Sequence, residues 1–131
     1  MSTRTERTAQ IVATVAAALS IDPDLAEVIV TDDAAKLDRK GPGQQGTVLV
    51  QPTPRFEFPV GGVTRLSWTL FVVAKPGPAL DAFATVDPIL DALIASPLSL
   101  DTAEPGEYQP ADDMSPPFPG YLVTIRDDFY N

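Results

Sequence analysis

Three adjacent aspartate pairs, Asp32–Asp33, Asp112–Asp113 and Asp127–Asp128, are where this sequence gathers side chains able to do chemistry. Two carboxylates at the right separation can serve glycoside hydrolysis or bind a divalent cation through oxygen. Neighbours on a strand point to opposite faces, however, and no pair has the spacing of a calcium loop, so solvated turn acids are the expected role. The run GPGQQG, Gly41–Gly46, has the glycine spacing of a dinucleotide-binding fingerprint. That fingerprint needs a strand before the glycines and a helix N-terminus after them, so that backbone donors meet a pyrophosphate. Here a charged stretch precedes and the strand-like TVLV follows, which makes the run a turn or hairpin loop.

The chain has 131 residues and contains neither cysteine nor histidine. Disulfides and thiolate metal sites are therefore impossible, and the usual nucleophile–base pairs, imidazole zinc ligands and neutral-pH proton carriers are missing. Lys36, Lys40 and Lys75 lie in polar stretches or beside Pro76, with nothing nearby that promises the burial needed to lower an amine pKa. No catalytic residue, metal ligand or cofactor site is expected. Trp68, on an alternating stretch, is expected in the core.

The net charge of −9 is unevenly spread. Residues 1–75 hold eight Lys/Arg and eight Asp/Glu, whereas residues 76–131 set Arg126 alone against ten acids. Such a surface repels free nucleic acid and anionic membranes. No apolar run approaches the ~18 residues of a membrane span, and MSTRTERTAQ lacks the zones of a signal peptide, so synthesis in the cytoplasm is expected.

The elements that must position these residues follow from hydrophobic period. Ile11, Val12, Val15, Ala16 and Leu19 form one stripe of a helix over 4–20. LAEVIVT reads as a short strand, DDAAKLDRKGPGQQG as a polar loop, TVLVQP as a second strand, and TPRFEFPV as an edge or turn-flanking segment because its prolines remove ladder donors. In VTRLSWTLFVVAK, Leu66, Trp68, Leu70 and Val72 alternate with Arg65, Ser67 and Thr69, and the second face turns apolar at Phe71 and Val73. This is a long central strand with either a second layer or another chain against that apolar end. A helix follows Gly77-Pro78; Pro88 inside it predicts either a kink or, since interior proline costs ~3 kcal/mol, the preferred restart with Asp87 as N-cap. YLVTIRD makes the last strand. The order gives a single α+β domain: a two-layer fold, its sheet mostly antiparallel or mixed, with two helices on one face.

Between the second helix and the last strand stands DTAEPGEYQPADDMSPPFPGY, acidic, proline-rich and without a positive charge. It reads as an extended loop over about 101–119. Loops beyond about 12–15 residues are usually functional or disordered. Tyr108, Met114 and Phe118 interrupt it at intervals, and proline lowers the entropy lost on docking, so the segment suits wrapping a neighbouring chain.

Taken together, the N-terminal helix, RLSWTLFVVAKPGPALDAF and DTAEPGEYQPADDMSPPFPGYLVTI resemble tail terminator proteins of long-tailed, siphovirus-type phages of actinobacteria, over roughly residues 4–130. The resemblance implies a structural virion protein with no cofactor: a homo-oligomeric ring, usually of six subunits, on the last ring of tail tube protein. Such a ring stops tube growth at the head-proximal end and offers the docking surface for the head-tail connector. A neutral half and an acidic half suit head-to-tail assembly, closed by rotation into a ring. Arg39, Lys40, Arg55 and Arg65 are then expected to meet a neighbour's acids, with Tyr108, Asp112, Asp113, Met114 and Phe118 as the loop's contribution. Acids lining the bore would let DNA pass without specific binding. The alternatives are a connector or neck protein of the same virion, a carboxylate-dependent hydrolase, and an inhibitor-like module that binds a cellular protein.

Overall fold

The computed structural model describes residues 3–111 and 115–130, the side chain of Thr3 excepted. In chain order the elements are α1 (Thr3–Ser20), a 3-10 turn (Pro23–Leu25), β1 (Ile29–Thr31), α2 (Ala34–Lys40), β2 (Thr47–Val50), β3 (Arg55–Glu57), β4 (Val63–Val73), α3 (Ala79–Ala95), β5 (Leu100–Tyr108) and β6 (Phe118–Tyr130). The fold is α+β, as its sequence predicts.

One mixed sheet runs β1-β2-β4-β6-β5, and β3 adds to β4 beside β2. Among the described residues, only β1 and β2 pair in parallel. The spine is the antiparallel pair β4–β6, in register from Val63↔Tyr130 to Val73↔Gly120. Alternation along β4 buries Leu66, Trp68, Leu70 and Val72 against α1 and α3, with Ile11, Val15, Val86, Ile89 and Leu93 as their helical counterparts. β2 and β3 pair successive stretches of β4, separated by Pro52 and Pro54 where ladder bonding lapses.

Four expectations are corrected. The first strand is only Ile29–Thr31, because Asp22 caps a 3-10 turn that takes up Pro23–Leu25. The polar loop after it contains α2, started by Asp33, whose side chain accepts from the Ala35 amide at 3.0 Å. Leu37 of α2 packs with Leu49, Val73 and Phe118, so the apolar end of the second sheet face is covered from within the subunit. α3 runs unbroken through Pro88. Both Pro88 and Ala84, whose carbonyl loses its partner there, are exposed, and water can take the place of the lost bond.

The fourth correction concerns the loop at 101–119. Residues 100–108 are the strand β5, and the connection to β6 spans only 109–117. β5 pairs with β6 from Leu100↔Ile125 to Tyr108↔Phe118, with one irregularity between Leu100 and Thr102. Composition argued for a loop, yet an edge strand covered on one side tolerates Pro105, Gly106 and a line of exposed acids.

Candidate functional site

Three of the six paired aspartates, Asp33, Asp127 and Asp128, are used structurally. Asp33 is the N-cap of α2. Asp127 and Asp128 point to opposite faces of β6, as neighbours on a strand must, and each finds its own arginine. Arg7 Nε donates to Asp127 at 2.6 Å, and Arg65 Nε donates to Asp128 at 2.9 Å. The Arg65 guanidinium, as hydrogen-bond donor, holds the Asp128 carboxyl below its ordinary range, and Asp128 in turn raises Arg65. Asp112 and Asp113 lie outside the described residues. Among the described residues no three acids stand together where they would hold a metal ion.

GPGQQG lies between α2 and β2, in the crossover that joins the parallel strands β1 and β2, so it is not a hairpin loop. A helix precedes it and a strand follows, the reverse of a pyrophosphate cradle. Gly41, Gly43 and Gly46 have φ of 72°, 80° and 89°, and Gly46 leaves no room for a Cβ, which would stand 2.8 Å from the Val73 carbonyl oxygen. Gln45 fixes the loop from within: its side-chain carbonyl accepts from the Glu27 amide at 2.8 Å, and its amide donates to the Asp24 carbonyl at 2.7 Å.

The residues expected at a subunit interface divide into three groups. Tyr108 and Phe118 turn inward: Phe118 is buried, the two rings stack at 6.2 Å, and Phe71 meets Tyr108 edge-on at 5.3 Å. The Tyr108 hydroxyl donates to Asp38 at 2.9 Å, and burial, helped by that bond, pushes its pKa up to about 12. These two aromatics belong to their own subunit's packing. Arg65 is likewise engaged with Asp128. Arg39 and Lys40 stand exposed in the last turn of α2, and Arg55 stands exposed on β3, only 3.7 Å from Glu57. Met114 lies outside the described residues with Asp112 and Asp113.

Exposed apolar side chains gather in two other places, although the sequence pattern, through the alternation of Phe56, Phe58 and Val60 and the helix face of Leu80, Phe83, Leu90, Leu93 and Ile94, suggests burial for several of them. The turn between β3 and β4 presents Phe58 and Val60, 72% and 61% exposed. On the helical layer Ile21 and Ile94 are 83% and 70% exposed, beside a groove of about 610 Å³ between the C-terminal halves of α1 and α3. Contiguous solvated apolar surface is a common feature of interaction sites. A strand alternation beyond Glu57, and a helix apolar on more than one side, were the available signals; α3 carries Leu80, Phe83, Leu90 and Ile94 as well as its buried stripe.

No family model, curated protein or solved structure matches this chain.

Proposed function

We propose that this chain is a structural virion protein, the tail terminator of a long-tailed phage, acting as a ring of like subunits. The ring caps the head-proximal end of the tail tube, stops its growth and presents the surface on which the head connector docks. One observation carries the reading. A single-sheet subunit leaves two unlike apolar patches in solvent, on the β3–β4 turn and on the α1–α3 layer. Unlike patches on one subunit support head-to-tail contacts, which close into rings when the rotation allows.

The test is twofold. Light scattering of the purified protein, alone and with tail tube protein of the same virion, should show a closed oligomer in at least one condition. Phage lacking the protein should build overlong tails by negative stain. Tails of normal length without heads would assign the chain to the connector instead.

A further inference from the structure

The two apolar patches differ in shape and in charge, and the difference is complementary. The first is a knob. β3 and β4 hold their connecting turn in fixed register, Glu57 opposite Arg65, and the Val63 amide closes the turn on the Val60 carbonyl at 3.2 Å. Phe58, Pro59 and Val60 project from it, and a methyl group added at Gly61 or Gly62 would meet nothing within 4 Å. Proline and a closed turn leave the knob little freedom to lose on docking.

The second patch is a hole. Ala13, Ala17, Ala92 and Ala95 line the α1–α3 groove and keep it open by their small size, and Asp22 and Asp91 line it as well. No lysine or arginine occurs over residues 8–22 or 79–97, so the groove has no cation of its own. The knob brings one: Arg55 is exposed beside it and only loosely held by Glu57.

The knob cannot fill the hole of its own subunit. Arg4, in the first turn of α1, stacks over the Phe56 ring at 5.1 Å and so fixes the hairpin beside the helix N-terminus. Ala13 lies nine residues further on, roughly 13 Å along the axis at 1.5 Å per residue. The strand pairing leaves no hinge to cover that distance.

We infer that the Phe58–Val60 turn of one copy of this chain seats in the α1–α3 groove of the next, with Arg55 set against Asp22 and Asp91 of the receiving copy. The contact is heterologous, so each subunit gives one knob and receives one. A standard interface takes about 20–30 residues a side, so one seated turn is a weak bond, and closure of the ring makes the set hold. The inference rests on the ring reading and assigns the surfaces that would join its subunits.

The absence of cysteine gives a direct test. Val60→Cys and Ala17→Cys, prepared as separate proteins and mixed under oxidising conditions, should form a mixed disulfide dimer, and neither alone should do so. Phe58→Asp, at an exposed site, should keep its melting temperature and weaken self-association at least tenfold by sedimentation. If the unaltered protein assembles but the mixture does not cross-link and Phe58→Asp assembles normally, the knob-and-groove contact is wrong and the ring stands. If the unaltered protein remains a monomer even with tail tube protein, both readings fall.

Discussion

The indole Nε1 of Trp68 donates to the Thr8 hydroxyl at 2.9 Å, so the central strand is bonded to the first helix at the centre of the core. The same hydroxyl faces two carbonyl oxygens, Arg4 at 3.1 Å in its own helix and Pro52 at 3.2 Å in the link between β2 and β3. One oxygen thus joins three parts of the chain, and both residues are buried. Trp68→Ala should lose roughly 3–5 kcal/mol to the cavity alone. Thr8→Val keeps the shape and strands the indole N–H, at a cost of roughly 1–3 kcal/mol. Urea unfolding of both variants checks the order.

Gly120 faces the backbone of β4. A Cβ there would collide with the Val72 carbonyl, and backbone cannot swing aside as a side chain does. Gly120→Ala should destabilise by at least ~1–3 kcal/mol. Gly61→Ala, where a Cβ meets nothing within 4 Å, serves as the control and should change the melting temperature little.

Tyr108 gives an alkaline signature. Its folded pKa is about 12, against an ordinary 10.0, so folding favours the neutral phenol. That contribution is whole below pH 10 and falls away as pH rises toward about 12, because there the unfolded chain has released a proton that the folded one still holds. Ultraviolet titration of the folded protein should show one late phenol, which Tyr108→Phe removes.

Asp128 gives the acid counterpart. Its carboxyl titrates below the ordinary range because Arg65 donates to it, so its stabilising share is present above that range and is lost as pH falls through the lowered value. Arg65→Gln should move the Asp128 carboxyl resonance upward in pH in an NMR titration and leave the backbone fold unchanged.

Deleting Glu107–Met114 tests the corrected account of the acidic segment. A free loop would be dispensable to the monomer. Here the deletion takes Tyr108 from between Phe71 and Phe118 and breaks its bond to Asp38, so a lower melting temperature is expected.

Much of this fold is legible in the residues themselves, and the rest fails for identifiable reasons. The alternation of β4 follows directly from burial on one face, and the α1 stripe appears with one exchange: Ala16 is exposed and Ala18 is buried instead. α2 has seven residues and one buried side chain, Leu37, too few to establish a period; its one local sign is Asp33, an N-cap. β5 was hidden because its composition reflects an exposed edge: six of its nine residues are exposed, and stability comes from the ladder to β6, a non-local fact. Of the surface residues, Arg55 was visible as a base in an edge or turn-flanking segment. Phe58 and Val60 were visible as apolar alternation, and Pro59 with Gly61-Gly62 signalled that the strand would end there, but not that both side chains would face solvent.

The margin of the sheet at β5 has a further consequence. Pro105 has no amide hydrogen to offer an incoming strand, and Asp101, Glu104 and Glu107 line the same strand with like charge. Crowded copies therefore have no ready template there for adding strand to strand, and that margin resists growth into fibrils even where the protein is abundant.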